Sequence, residues 1–100
     1  MKLNGTELLE DRIAEYCRRN QIRELSVFGS ALRPDFRDDS DVDLLVEFEA
    51  DAHIGFMALG RIARELSAII GRKVDLVPKD GLKPLIRDSV ISSSRKVYAA

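Results

Sequence analysis

The stretch Asp39-Ser40-Asp41-Val42-Asp43-Leu44-Leu45-Val46 decides the fold of this chain of 100 residues. From position 42 onward apolar residues recur at every second position, and this period of two predicts a half-buried β-strand over residues 42–48. Every second residue from Val42 to Phe48 then faces the core. The intervening residues face the other way: Asp41, Asp43, Leu45 and Glu47. The sheet is therefore expected to form around a strand that carries two acidic side chains near its beginning.

Apolar periodicity on both sides of this strand predicts the remaining elements. In chain order they are helix 4–20, strand 22–28, strand 42–48, helix 55–70, strand 73–77 and helix 80–90. Asn4 and Glu7 have the spacing of a capping box for the first helix. Gly71 is suited to end the helix predicted for residues 55–70. Residues 30–33 are expected to form one helical turn, and residues 95–99 either a small edge strand or a tail.

Helical spacing also predicts which side chains of the helices are buried. The stripe of the first helix consists of Leu9, Ile13, Tyr16 and Cys17. The stripe of the second long helix runs from Phe56 to Ile70. The last helix, capped by Asp80, is expected to bury Leu82, Leu85 and Ile86. The order α-β-β-α-β-α predicts an α/β fold, a small mixed sheet with flanking helices, in a single domain over residues 1–100.

Composition excludes several classes of function. The charges of the 16 basic and 17 acidic residues nearly cancel. The chain therefore lacks the overall positive charge that would attract nucleic acid or an acidic membrane. One cysteine and one histidine exclude a disulfide framework and leave zinc few ligands. The longest apolar run is four residues, residues 56–59, and the N-terminus lacks an apolar signal core, so we expect a cytoplasmic protein.

Asp41 and Asp43 are the first candidate site residues. Two residues of strand separate them by roughly 6.6 Å along the backbone and place both on one face. Neighbouring carboxylates repel each other, and a divalent cation with oxygen ligands, Mg²⁺ above all, relieves the repulsion. The alternative is a strand face that is simply open to water, against which the apolar Leu45 on the same face argues.

Gly29 and Ser30 come directly after the strand predicted for residues 22–28. A strand that ends in Gly-Ser and opens a helical turn presents backbone N–H groups and a hydroxyl, which suit a phosphate. The alternative is a plain turn. Arg33 and Arg37 follow in the next loop, where they either contact phosphate or balance the acidic residues there: Asp35, Asp38 and Asp39.

Asp75 lies between apolar neighbours in the strand predicted for residues 73–77. If this strand pairs beside strand 42–48, Asp75 joins the face of Asp41 and Asp43. It can then ligate a metal and take a proton from an attacking hydroxyl. The alternative is an exposed residue on an edge strand. Lys79, just after this strand, is expected to be solvated.

Taken together, Gly29-Ser30, Ser40-Asp41-Val42-Asp43-Leu44-Leu45-Val46 and Val74-Asp75-Leu76-Val77 resemble the minimal nucleotidyltransferases (MNT type) of the DNA polymerase beta superfamily. The resemblance implies that Asp41, Asp43 and Asp75 bind two Mg²⁺ ions and carry catalysis. It further implies that Gly29, Ser30, Arg33 and Ser40 contact the nucleotide. The family often continues Gly-Ser-x-Ala-Arg-Gly, whereas this chain reads Gly29-Ser30-Ala31-Leu32-Arg33-Pro34, in which the second glycine is missing.

The resemblance also implies a reaction and a partner. AMP or another nucleoside monophosphate would move from ATP or another NTP to a hydroxyl, with release of pyrophosphate. Small proteins of this kind resemble the antitoxin of toxin–antitoxin pairs, whose partner is a helical HEPN-domain toxin that is adenylylated on tyrosine, in a hetero-oligomer. Two alternatives remain open, namely a binding module that neutralises its partner by contact alone and nucleotidyl transfer to a small-molecule alcohol.

Overall fold

The computed structural model describes the backbone of residues 2–3, 6–32 and 41–100, with side chains from residue 8 onward in these ranges except at residue 30. Two strands of two residues each, β1 (Lys2–Leu3) and β2 (Thr6–Glu7), pair antiparallel. The other elements are α1 (Glu10–Arg19), β3 (Ile22–Phe28), a 3₁₀ turn (Gly29–Leu32), β4 (Val42–Phe48), α2 (Phe56–Ile70), β5 (Val74–Pro78), a second 3₁₀ turn (Lys79–Gly81), α3 (Pro84–Ser93) and β6 (Arg95–Ala99).

The main sheet has four strands in the order β5-β4-β3-β6. β3 runs antiparallel to both of its neighbours, β4 and β6, whereas β4 and β5 are parallel. Parallel strands need a crossover connection, and α2 supplies it between β4 and β5. The predicted α/β fold with a small mixed sheet is confirmed, and residues 95–99 form an edge strand rather than a tail.

The core lies between one face of the sheet and the helices α1 and α2. The alternation in β4 is as predicted: Val42, Leu44 and Val46 are each 1% exposed. The helices contribute buried side chains from the stripes of α1 and α2: Ile13, Cys17, Ile62, Leu66 and Ile70. Burial raises the pKa of the Cys17 thiol to about 12, so this cysteine is a small core residue and not a reactive thiolate.

The first helix is shorter than the sequence predicts, because Thr6–Glu7 pairs as a strand and the helix begins at Glu10. The predicted capping box is therefore wrong for Glu7, and Asn4 lies outside the described residues. Because the helix starts later, Leu8 is buried in place of Leu9. Leu9, which was predicted in the buried stripe, is 43% exposed.

The second long helix agrees with the sequence at its C-terminal end and differs at its start. Gly71 adopts the left-handed conformation with φ 80° and donates its N–H to the C=O of Ser67 at 2.8 Å, as a helix-ending glycine does. Phe56, predicted in the buried stripe, is 91% exposed. As the first residue of α2, it lies beyond the part of the helix that packs on the sheet.

The last helix is displaced relative to its prediction. Asp80 belongs to the 3₁₀ turn, and α3 begins at Pro84, whose fixed φ and missing N–H suit a first helical position. The prediction that Leu85 and Ile86 are buried is wrong, since both are exposed and α3 contains no buried residue. Leu82 precedes the helix and is half-buried. In the described ranges, no helix combines the length and the apolar character needed to cross a membrane.

An ion-pair network ties the four strands together at one end of the sheet. Lys96 Nζ lies 2.7 Å from Glu24 Oε1, and Lys79 Nζ lies 3.2 Å from Glu24 Oε2 and 3.4 Å from Glu47 Oε1. Glu24 is only 19% exposed, and the hydrogen bond from Lys96, followed by contacts with Glu47 and Lys79, lowers its pKa to about 2. Burial pushes the pKa of Lys79 down, but Glu24 and Glu47 together outweigh burial and raise it. Lys79 is thus a half-buried structural cation, not the solvated lysine that the sequence suggested.

We expect this network to make stability depend on pH in the acid range. Because the folded pKa of Glu24, about 2, lies below its ordinary value of 4.5, its contribution is present above pH 4.5 and is lost as the pH falls toward 2. Glu24→Gln should lower the free energy of unfolding at pH 7 by about 1–3 kcal/mol and flatten the acid slope. Urea titrations at pH 7, 4 and 3 measure both effects.

Glu15→Gln is the matched control for this experiment. Glu15 pairs with Arg19 at 3.0 Å, but both side chains are more than half exposed, so its removal should cost at most about 1 kcal/mol. An unchanged acid slope in Glu24→Gln would show that the network does not set the pH dependence.

Candidate active site

Asp43 and Asp75 are direct neighbours across the pair of parallel strands. Their register in β4 and β5 places Asp43 opposite Asp75 and Val42 opposite Val74. Neighbouring strands lie about 4.8 Å apart, and register partners project from the same face. Because Val42 and Val74 are buried in the core, both carboxylates project from the opposite face. The structure therefore brings Asp75 beside Asp43, as the sequence predicted for a strand that pairs next to residues 42–48.

Asp41 lies one residue before β4 and is exposed. The N–H of Val42 donates to the C=O of Lys73 at 2.8 Å, so the chain next to Asp41 is already joined to the beginning of β5. Asp41 thus lies at the same end of the sheet as Asp43 and Asp75. All three predicted carboxylates belong to one end of two adjacent strands.

Gly29 closes this end from the side of β3. It follows Phe28, the register partner of Asp43, and it has a positive φ of 71°. A Cβ added to Gly29 would lie 2.5 Å from Asp43 Oδ2, closer than real Cβ atoms approach other atoms. Only glycine lets the chain turn here with the Asp43 carboxylate packed against it. Gly29 is the first residue of a 3₁₀ turn, and Ala31 in the same turn is fully buried in the core.

Some predicted nucleotide contacts cannot be placed. Ser30 has its backbone in the 3₁₀ turn, but its side chain lies outside the described residues. Arg33 and Ser40 fall within residues 33–40, which are also outside the described part of the chain, as is Arg37. Their assignment to nucleotide binding stays a prediction.

The donor set fits a magnesium ion. Asp41, Asp43 and Asp75 offer carboxylate oxygens only, and Mg²⁺ typically uses one or two carboxylates together with substrate phosphates. A side chain at position 29 would meet the Asp43 carboxylate, so the glycine allows this carboxylate to keep its position. In the described ranges no three acidic, histidine or cysteine side chains are preassembled around a metal position.

A cleft among the described residues lies at the other end of β4. It has a volume of about 650 Å³, and its lining includes Phe48 of β4, Ile54 of the connector, Phe56 of α2 and Lys79 of the second 3₁₀ turn. Five residues of strand separate Phe48 from Asp43, which is about 16 Å. Its charged lining residues are Arg23, Glu47, Glu49, Lys79 and Asp80, and it lacks the facing aspartates Asp43 and Asp75. The candidate active site is therefore the end of the sheet that carries Asp41, Asp43 and Asp75.

A mixed sheet with paired aspartates beside a glycine corner defines the class of nucleotidyltransferases, and the nucleotidyltransferase domain family matches residues 10–97. The chain belongs to this family and is a nucleotidyltransferase. It is 40% identical over 70 residues to protein adenylyltransferase MntA of Thermococcus cleftensis, covering 70% of this chain and 69% of the relative. The predicted resemblance is thereby confirmed.

Solved structures agree with this assignment. A provisionally named minimal nucleotidyltransferase is 33% identical, with a TM-score of 0.70 and 85% of each chain covered. A toxin–antitoxin crystal structure with AMP-PNP has a TM-score of 0.74 at 21% identity, covering 93% of this chain and 75% of the other. A complex of the tri-AMPylated Shewanella oneidensis HEPN toxin with its MNT antitoxin has a TM-score of 0.65 at 20% identity, covering 91% and 70%. At 20–21% identity, the two toxin–antitoxin structures show that the fold is alike.

We expect Gly29→Ala to damage both the fold and the site. The new methyl group would meet Asp43 Oδ2, and the left-handed conformation would be strained. The matched control is Gly71→Ala, because Gly71 has φ 80° but nothing within 4 Å of an added Cβ. Gly71→Ala should cost about 1–2 kcal/mol from backbone strain alone. Gly29→Ala should cost clearly more, as measured by urea denaturation; equal losses would refute the packing of Gly29 on Asp43.

Proposed function

We propose that this chain transfers AMP from ATP to a tyrosine hydroxyl of a helical HEPN-type toxin and thereby acts as its antitoxin. One observation carries the proposal, namely that Asp43 stands in register with Asp75 while Gly29 packs against the Asp43 carboxylate. The name of the 40% identical relative, protein adenylyltransferase, supports AMP as the transferred group. The structural neighbours with AMP-PNP and with an AMPylated HEPN toxin support the nucleotide and the partner.

The chemistry follows from the position of each carboxylate. The acceptor oxygen attacks the α-phosphorus of ATP, a P–O bond forms, and the bond to the bridging oxygen of the departing pyrophosphate breaks. Asp41 and Asp43 would hold two Mg²⁺ ions, which would supply positive charge next to the phosphates and the attacking and leaving oxygens. Asp75, beside Asp43 and exposed, would complete the metal site and accept the proton of the hydroxyl.

Nucleotide contacts complete the proposal. Gly29 would allow the triphosphate to approach the backbone closely, since no side chain stands between the chain and Asp43. Ser30, Arg33 and Ser40 would contact the phosphates. Residues 1–100 would work as a single domain in a cytoplasmic hetero-oligomer with the toxin, which would supply the acceptor hydroxyl.

We expect Asp41→Asn combined with Asp43→Asn to abolish AMP transfer, because neutral amides no longer bind the metal or offset the phosphate charge. The purified chain is incubated with ATP, Mg²⁺ and a HEPN-type toxin, and intact-mass spectrometry of the toxin detects added AMP units. Transfer should fall at least about a hundredfold, and Asp75→Asn alone should also reduce it strongly.

Asp51→Asn, in the exposed connector after β4, is the control and should leave transfer unchanged. Continued labelling by the double variant would refute the catalytic role of the aspartates. Inhibition of the partner without any gain of mass would instead show neutralisation by contact, and turnover of a small alcohol alone would show a different acceptor.

A further inference from the structure

The beginning of β5, which carries Asp75, is held by hydrogen bonds on both of its sides. On the inner side, the N–H of Val42 donates to the C=O of Lys73 at 2.8 Å. On the outer side, where the described sheet ends, the N–H of Val74 donates to Ser67 Oγ of α2 at 2.9 Å. A serine side chain thus takes the place that a neighbouring strand would occupy.

The Ser67 hydroxyl is oriented for this task. It donates to the C=O of Ala63, one turn back in α2, at 2.7 Å, which leaves a lone pair of its oxygen directed at the N–H of Val74. The backbone C=O of Ser67 accepts the N–H of Gly71 at 2.8 Å. One residue therefore fixes both the end of α2 and the start of β5, with only residues 71–73 between them.

Ser67 acts on the backbone and not on the carboxylate. Val74 is buried in the core with Leu66 and Ile70, whereas Asp75, the next residue, is exposed on the other face. The hydrogen bond to Val74 holds the peptide group directly before Asp75. Movement of β5 away from β4 would have to break this bond as well as the bond between Val42 and Lys73.

We propose that Ser67 is a positioning residue for the third carboxylate, holding β5 so that Asp75 stays within reach of a cation bound at Asp43. This inference rests on the proposed function, since it takes Asp75 to be part of the metal–nucleotide site. It predicts that loss of the Ser67 hydroxyl weakens metal binding although Ser67 touches neither metal nor nucleotide.

The test uses Mn²⁺, which shares the oxygen ligands and geometry of Mg²⁺, with AMP-PNP, and measures bound Mn²⁺ by electron paramagnetic resonance. Ser67→Ala should raise the Kd of Mn²⁺ by about three- to tenfold, the equivalent of one hydrogen bond. The pair Ser67→Thr and Ser67→Val isolates the hydroxyl, because the two variants share one shape. The threonine variant should bind nearly as the wild type does, and the valine variant as weakly as Ser67→Ala.

Two further measurements distinguish positioning from general damage. Hydrogen exchange of the Val74 amide should accelerate in the alanine and valine variants but not in the threonine variant. Ser93→Ala is the matched control, because Ser93 makes the same bond one turn back, to the C=O of Ser89 at 2.8 Å, near the β6 end of α3. It should change neither Mn²⁺ binding nor Val74 exchange.

A double-mutant cycle with Asp75→Asn decides the outcome. If Ser67 acts through Asp75, Ser67→Ala has no further effect in the Asp75→Asn background. Effects that multiply, or a Kd unchanged by Ser67→Ala while Asp75→Asn weakens binding, overturn the inference about Ser67. Unchanged Mn²⁺ binding in Asp75→Asn itself would instead overturn the metal role of Asp75 in the proposed function, and the inference about Ser67 with it.

Discussion

The parallel pairing of β4 with β5 is the constraint on which the rest of this structure depends. It places Asp43 opposite Asp75, and it can form only because α2 crosses back over the sheet between the two strands. A shift of register by one residue would turn Asp75 toward the core and expose its apolar neighbours. Burial of Val74 and Leu76 therefore fixes the position of the acidic residue between them.

The two ends of the sheet hold their acidic residues by different means. At one end, Glu24 and Glu47 are neutralised within the fold by lysines, which lowers the pKa of Glu24 and makes these carboxylates structural. At the other end, the backbone register and the bare Cα of Gly29 determine where Asp43 lies. Strand alternation gives both groups the same face, so distance along the strands separates the ion-paired acids from those of the candidate site.

Much of the fold and the outline of the site could be predicted because they depend on local patterns. Alternation predicted the faces of β4. The position of Asp75 beside Asp43 was predicted only on condition that its strand pairs next to residues 42–48, and the structure supplies that pairing. The exposure of Leu85 and Ile86 could not be predicted, since an apolar stripe shows what a helix can bury but not whether a surface is there to receive it. The roles of Lys79 and Ser67 were equally hidden, because each depends on partners distant in sequence that only the folded sheet brings near.

The outer edge of β5 has a consequence for the behaviour of the protein in concentrated solution. Residues 74, 76 and 78 direct their backbone outward, since the alternate residues bond to β4. Val74 gives its N–H to Ser67, and Pro78 has no N–H to give. A strand from another molecule would therefore find few backbone donors along this edge, and edge-to-edge pairing between molecules is disfavoured there.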